Sequence, residues 1–320
     1  MATALIRVLR KQFPTAQIDM VVREDFLDLI RHNPYLDQKL SLGRKEGIRG
    51  VLSLLKKLNR EHYDVIYDAH RSLRTLFMMP FLKATQKFYF DKMYLRRSLA
   101  LTFKLPLLKN LPRTLERYIE PLKSLRVTYD GLGPEVFYTA SDEQRALLKF
   151  PISKQTEKWV GIIPSAQWPG KRWPETRFKE LIQNMLLDAR FRFIVFGGNS
   201  DDFCDEICQG LPQDRVVNTK GKLSIIECMP LLKKCDFVIA NDTGLMHVAD
   251  ALQVPSLLFL GPTSGELGCL PFHPRSKILE HSLWCRPCSK NGEAPCIRKE
   301  RYCLTLTSTK MAYQAAMAMA

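Results

Sequence analysis

The stretch NDTGLMHVADALQVPSLLFLGP, residues 241–262, decides the fold. The apolar run Phe237–Ala240 before it is typical of a buried parallel strand. A helical pattern starts directly after the polar turn at residues 241–244, and Pro255 then opens a second apolar strand, Ser256–Leu260. A strand, a tight polar turn, a helix and another strand form the repeating unit of a doubly wound parallel sheet.

The polar turn in this stretch also has the features of an anion site. The first amide groups of the following helix lack partners within the helix, and its positive dipole end faces the turn. Asp242 or Thr243 can cap the helix, and Gly244 lets a phosphate approach the backbone closely. His247 falls in the first helical turn. The alternative is an ordinary strand–turn–helix unit without a ligand.

The length and composition bound the class of protein. A chain of 320 residues with 46% apolar content can form two domains with cores. Strands alternate with helices on both sides of a polar stretch at 141–158, which suits a linker, so we expect domains at 1–150 and 151–320. The sequence has neither a run long enough for a transmembrane helix nor a signal peptide at its start. Nine scattered cysteines favour a reducing compartment, hence the cytoplasm.

The charge is unevenly distributed along the chain. Residues 1–150 carry 27 Lys and Arg against 16 Asp and Glu, whereas residues 151–320 carry 21 against 17. One interpretation is solvated helix faces. The other is an anionic partner for the first half, for which we favour a phosphorylated lipid. Motifs for nucleic-acid binding are not evident, so no nucleic acid is expected.

Three further loops in the second half follow predicted strands, at the edge where such sheets bind ligands. Lys171 lies on a proline- and tryptophan-rich loop, and is either a point charge for a diphosphate or a plain surface lysine. Asp201, after Gly197-Gly198, is either a ribose ligand or a helix N-cap. The turn at Leu223 precedes a helix that Ser224 is predicted to cap, with Glu227 completing a capping box.

Two clusters leave alternatives open. His70, Arg71 and Arg74 follow the predicted strand Tyr63–Asp68 and can bind acidic sugars or phosphates, or can form a solvated helix start. Four cysteines near the end of the chain have spacings that suit a tetrahedral zinc site, although only one C-x2-C pair is present. A structural zinc ion is one interpretation, and reduced thiols or a labile disulfide is the other. The four are Cys285, Cys288, Cys296 and Cys303.

Taken together, the strings Asp-Thr-Gly-Leu-Met-His at 242–247, Gly-Pro-Thr at 261–263 and Lys-Arg-Trp-Pro at 171–174 resemble the heptosyltransferase family of glycosyltransferases, family 9. The resemblance extends roughly from residue 10 to residue 305. It implies the α/β GT-B fold, in which two Rossmann-like doubly wound domains face a cleft. It also implies inverting transfer of a heptose-like sugar from an ADP-sugar to a lipopolysaccharide-core acceptor, with no metal or other cofactor required.

The resemblance further implies a role for individual residues. The second domain would bind the donor, and the first would bind an anionic glycolipid acceptor at the inner membrane surface, through His70, Arg71 and Arg74. The protein would then be cytoplasmic and peripheral to the membrane. The donor ligands implied are Ser165, Lys171, Asp201, Leu223, Asp242, Thr243, Gly244, Met246 and His247.

The chain departs from the family at its start. Family members open with a strand and a Gly-Asp turn whose aspartate is the expected general base, whereas Met1 here falls at the helix that follows. The first domain is therefore expected to lack its first strand, and the 320-residue form to transfer sugar weakly or not at all. Either the natural chain begins upstream or this is a non-catalytic nucleotide-sugar-binding relative. Another nucleotide sugar as donor is the second alternative.

Overall fold

The structure is a computed structural model that describes residues 1–43, 45–152 and 156–320. The chain divides into two compact units, one formed by Met1–Tyr94 and Pro112–Phe137 and the other by Leu95–Leu111 and Tyr138–Ala320. The strands, numbered in chain order, are β1 (Asp19–Arg23), β2 (Gln38–Leu42), β3 (Val65–Asp68), β4 (Gln86–Tyr89), β5 (Lys158–Ile163), β6 (Phe191–Val195), β7 (Val216–Asn218), β8 (Phe237–Asn241), β9 (Ser256–Phe259) and β10 (Lys277–Leu279). The α-helices are α1 (Ala2–Gln12), α2 (Gly47–Leu58), α3 (Leu73–Met78), α4 (Tyr94–Phe103), α5 (Thr114–Ile119), α6 (Ala140–Lys149), α7 (Glu175–Met185), α8 (Phe203–Cys208), α9 (Ile225–Lys234), α10 (Gly244–Ala251), α11 (Tyr302–Thr305) and α12 (Thr309–Met317).

The predicted linker at 141–158 is largely wrong. Its first part is helix α6, which begins with a capping box between Thr139 and Asp142 and packs against α9. Gln144, Arg145 and Lys149 are exposed on this amphipathic helix, whereas Asp142 is buried. Residues 153–155 lie outside the described residues, and strand β5 begins at Lys158. The second unit thus begins before residue 150 and also takes in 95–111.

The first unit contains two separate pairs of parallel strands. Strand β1 pairs with β2, and β3 pairs with β4. Helix α1 buries Leu5 and Val8 against Ile119 and Leu122. Helix α2 packs against the segment at 78–82 through a second apolar cluster.

The second unit is built on one parallel sheet of six strands in the order β10-β9-β8-β5-β6-β7. Every residue of β8 and β9 is buried, as expected for strands covered by helices on both faces. The chain runs from β5 outward to β7 and then returns to place β8 on the other side of β5. The order therefore reverses between β5 and β8, and in such sheets ligands bind outside the carboxyl ends of the strands at this switch point.

In the described parts of both units, no helix is both long enough and apolar enough to cross a bilayer.

Candidate functional site

The loop that follows β5 is held firmly at the switch point. Asn241, at the end of β8, is fully buried and bridges the loop: its Nδ2 donates to the carbonyl oxygen of Pro164 (2.7 Å), and its Oδ1 accepts from the backbone N–H of Trp173 (3.0 Å). The Trp173 ring stacks on Phe259 with centroids 4.2 Å apart, and its Nε1 donates to the carbonyl oxygen of Thr307 (3.0 Å). Both ends of the loop are thus fixed, and Lys171 lies between them.

Three loops meet around the carboxylate of Asp242. The Lys171 ammonium lies 2.7 Å from Asp242 Oδ2, and the Thr263 hydroxyl donates to the same oxygen at 2.9 Å. The lysine and aspartate side chains are mostly buried, with 14% and 12% exposure. A lysine ammonium has three N–H donors, and the contact with Asp242 uses one of them. The remaining N–H groups of the fixed Lys171 can donate to an anion that binds beside this carboxylate. The alternative of Lys171 as a plain surface lysine is wrong, whereas its role as a diphosphate ligand stays a prediction.

Helix α10 begins beside this cluster. Thr243 occupies the N-cap position with extended backbone, but no side chain from the described residues caps the helix. The prediction that Asp242 or Thr243 caps it is wrong, since the Asp242 carboxylate accepts from Lys171 and Thr263 instead. Gly244 is exposed, and a Cβ there would meet no atom within 4 Å. Met246 is fully buried, so its predicted contact with the donor has no exposed surface in this structure.

His247 lies one turn into α10. Its Nδ1 is buried and has no hydrogen-bond partner among the residues that the structure describes. Burial lowers the pKa of His247 below its ordinary value, so the ring is neutral at pH 7. A neutral imidazole carries one N–H donor and one acceptor nitrogen.

The loops after β5 and β6 meet at Asp201. The Ser165 hydroxyl donates to Asp201 Oδ2 (2.7 Å), and the Gly198 N–H donates to the same oxygen (2.8 Å). The N-cap residue of α8 is Asp202 and not Asp201, so the alternative of Asp201 as a helix cap is wrong. Its other oxygen can accept from a diol.

The turn before α9 lies next to the loop after β6. The Gly221 N–H donates to the carbonyl oxygen of Gly197 (2.9 Å), which brings the half-buried Leu223 to this edge of the sheet. The predicted capping box of α9 is confirmed, because Ser224 and Glu227 exchange both hydrogen bonds. The loops after β5, β6, β7 and β8 therefore gather at one edge, as the sequence predicts.

A fifth segment, at Gly292, contributes to this site and was not predicted from the sequence. Gly292 adopts a φ of +80°, and a Cβ there would lie 2.8 Å from Lys171 Cγ and 2.9 Å from Lys171 Cε. The backbone at 292 thus packs directly on the stem of the lysine, as only a glycine allows. A single glycine in a loop does not reveal its φ angle, so the sequence could not predict this contact. The sequence also did not predict that Thr263 donates a hydrogen bond to Asp242, although the Gly-Pro-Thr string at 261–263 is part of the family resemblance.

The predicted acceptor residues lie in the first unit, after β3. Asp68 Oδ1 accepts from the backbone N–H groups of His70 (2.9 Å) and Arg71 (2.7 Å). Ser72 and Thr75 form a capping box at the start of α3, and the Arg74 side chain is exposed in its first turn. This segment is therefore a capped helix start, as one interpretation of the sequence has it, and binding of acidic sugars or phosphates by these residues stays a prediction.

The cysteine segment lies next to the Lys171 loop. Three of its thiols, together with Trp168 and Gly170, line a cavity of about 240 Å³: Cys288, Cys296 and Cys303. Among the described residues, no three His, Cys, Asp or Glu side chains are placed to hold a metal ion. As the structure positions them, these thiols do not form the tetrahedral zinc site that their spacing suggested.

The sheet and its loops define an α/β protein with a candidate ligand site at the β5–β8 switch point. The family model described as glycosyltransferase family 9 (heptosyltransferase) matches residues 51–296. Because that match covers most of the chain, this chain belongs to glycosyltransferase family 9. It is therefore a glycosyltransferase, as the sequence predicted.

Individual relatives agree with this assignment. Lipooligosaccharide heptosyltransferase 2 of Haemophilus influenzae is 29% identical over 283 residues, covering 82% of this chain and 80% of its own length. The solved ADP-heptose LPS heptosyltransferase II of E. coli is 20% identical with a TM-score of 0.76, covering 99% of this chain and 93% of its own. A second E. coli heptosyltransferase, solved with ADP-2-deoxy-2-fluoro heptose, is 17% identical with a TM-score of 0.67, covering 100% and 97%. The likeness to these structures confirms the predicted GT-B fold.

Proposed function

We propose that this protein transfers a heptose from an ADP-sugar to the core of a lipopolysaccharide. The names of the relatives support the sugar and the acceptor, since they are lipopolysaccharide and lipooligosaccharide heptosyltransferases. An ADP-sugar donor is supported by a structural neighbour solved with ADP-2-deoxy-2-fluoro heptose. The observation that carries the proposal is the meeting of Lys171, Asp242 and Thr263 at the start of α10.

The donor diphosphate would rest against the first amides of α10. Gly244 leaves open space at that point, and the helix dipole favours negative charge there. Lys171, oriented by Asp242, would neutralise the charge that builds up on the leaving ADP as the glycosidic bond to it breaks. The neutral His247 would donate to a phosphate oxygen. Protein cations and amides would do the work of a metal ion, so transfer is expected without one.

The nucleoside would extend along the neighbouring loops toward β6 and β7. The free oxygen of Asp201 would accept from the ribose hydroxyls, while Ser165 and the Gly198 N–H hold the carboxylate in place. Leu223 would contact the adenine.

The acceptor hydroxyl would attack the sugar from the face opposite the diphosphate, which inverts the anomeric centre. We assign the acceptor to the first unit, through His70, Arg71 and Arg74, and place the protein on the cytoplasmic face of the inner membrane.

The first test measures the binding of ADP and an ADP-sugar by titration calorimetry. Lys171→Met should raise the donor Kd about tenfold or more, because a hydrogen bond to a charged group contributes about 1.5–3 kcal/mol. Lys234→Met is the matched control, since Lys234 also forms an ion pair in the second unit, with Glu143 at 2.8 Å, but away from the switch point. Unchanged donor affinity in Lys171→Met would refute the assignment of the diphosphate site.

The second test concerns catalysis. Incubation with an ADP-heptose and a heptose-acceptor glycolipid, in the presence of a chelator, should release ADP and yield a product of inverted anomeric configuration, at the low rate expected from the sequence for this 320-residue form. Donor binding without product under these conditions would identify a nucleotide-sugar-binding relative instead. Tighter binding of UDP than of ADP would point to another donor.

A further inference from the structure

Helix α3 and the residues after it expose a row of large apolar side chains. Leu73 is 88% exposed, Phe77 48% and Phe81 59%. Leu76 and Pro80 are exposed beside them. These five residues, which we call the α3 surface, recur at positions three and four apart and therefore lie on one face of the helical segment.

The opposite face of the same segment is already used by the core of the first unit. Met78, Met79 and Leu82 are buried in the cluster that joins this segment to α2. The segment thus has two apolar faces, of which one packs in the core and the other is exposed to solvent. Apolar residues on a soluble surface usually occur singly. A contiguous group of them, as here, is typical of an interaction site.

Two chain segments at the α3 surface are rich in Lys and Arg. Residues 47–60 and 69–90 contain no Asp or Glu, and they contain eight cations: Arg49, Lys56, Lys57, Arg60, Arg71, Arg74, Lys83 and Lys87. The Asn59 side chain joins the two segments, since its Nδ2 donates to the carbonyl oxygen of Phe81 (2.9 Å) and its Oδ1 accepts from the Lys83 N–H (2.8 Å). The exposed Lys56 and Lys57 at the end of α2 therefore lie near Phe81.

We propose, on the basis of the function proposed above, that the α3 surface docks on an anionic lipid bilayer. Apolar side chains on a helical face would enter the boundary between headgroups and acyl chains, while the surrounding cations meet the lipid phosphates. A second copy of this chain is a poorer occupant, since a two-fold interface would bring the same cations against each other. Docking would hold the first unit at the membrane in which a glycolipid acceptor is anchored.

The test measures co-sedimentation of the full chain with lipid vesicles. One set of vesicles consists of phosphatidylcholine alone, and the other of phosphatidylcholine mixed with phosphatidylglycerol. The wild type should bind the mixed vesicles and release them as salt rises. The triple variant Leu73→Ser, Phe77→Ser, Phe81→Ser should bind at least about tenfold more weakly. The control pair Leu148→Ser and Leu187→Ser removes residues of 76% and 87% exposure in the second unit and should bind as the wild type does.

A charge variant keeps the proposal testable if the apolar variant fails to fold. The triple variant Lys56→Gln, Lys57→Gln, Lys83→Gln should lose about fivefold in vesicle partitioning per charge removed. Lys310→Gln, at an exposed position in α12, serves as its control.

The outcomes separate the two proposals. Equal binding to both vesicle types, undiminished binding by both triple variants, or a dimer in ultracentrifugation that the α3 variant dissociates would each overturn the docking surface. ADP affinity, measured on the same variants, should not change. Loss of ADP affinity in Lys171→Met with vesicle binding intact supports both assignments, whereas failure of wild-type ADP binding counts against the donor site alone.

Discussion

Gly292 allows the effect of a single methyl group on the donor site to be predicted. In Gly292→Ala, the new Cβ would lie 2.8 Å from Lys171 Cγ, 2.9 Å from Lys171 Cε and 3.1 Å from Pro262 Cγ. These distances are too short for carbon atoms in contact, so either the lysine stem or the backbone at 292 must move. Displacing the stem would break the 2.7 Å contact of Lys171 with Asp242.

The matched control is Gly210→Ala. Gly210 has a φ of +76°, close to the +80° of Gly292, but a Cβ at 210 would meet nothing within 4 Å. Both variants should therefore lose about 1–2 kcal/mol of unfolding free energy from backbone strain. Only Gly292→Ala should also weaken donor binding, by about tenfold, as expected for a displaced charged hydrogen-bond donor.

The assays are urea unfolding for stability and titration calorimetry with ADP for binding. Wild-type ADP affinity in Gly292→Ala would refute the idea that the backbone at 292 positions Lys171. An equal loss of ADP affinity in Gly210→Ala would do the same, because it would trace the effect to strain alone.

Three further predictions concern the second unit. Asn241→Ala leaves two buried backbone groups without partners and should lower the unfolding free energy by about 2–4 kcal/mol in urea titrations; a loss below about 1 kcal/mol would mean that Asn241 does not hold the loop. Iodoacetamide at neutral pH should label the exposed Cys269 and Cys296 well before Cys204 and Cys228, whose pKa burial raises to about 12, and peptide mass spectrometry showing equal rates would contradict this. Because burial lowers the pKa of His247, the unfolded chain takes up a proton first, so stability should fall as pH drops below about 6.5. His247→Gln should flatten that fall, and a pH profile identical to that of the wild type would refute the assignment.

The elements of the second unit were predictable because their sequence signals are local. The apolar run of β8, the helical period of α10 and the Ser224–Glu227 capping box each lie within one short window, and each is present. Helix α1 was predictable from its period for the same reason. The prediction of a linker at 141–158 was wrong because the polar face of a short capped helix resembles a linker in composition.

The contacts that build the site were not predictable, because they join residues far apart in the chain. The sequence placed Lys171 and Asp242 at the same edge of a sheet but could not decide between a helix cap and an ion pair for Asp242. Thr263 and Gly292 reach the same point from other loops, and nothing in their local sequence specifies where those loops turn. The positions of these loops depend on the order of the strands in the sheet, and the strand order is determined by the packing of the whole unit.

The hydrogen bond between Trp173 and Thr307 spans 134 positions of the chain. Arg177 Nη1 also donates to the Thr307 carbonyl oxygen, at 2.7 Å, so the β5 loop is secured by a residue that is synthesised long after the loop itself. A ribosome-bound chain that has not yet released residue 307 can pair its central strands but cannot lock the loop that carries Lys171. The loop should therefore become rigid only after residue 307 has left the ribosome, later than the central strands pair.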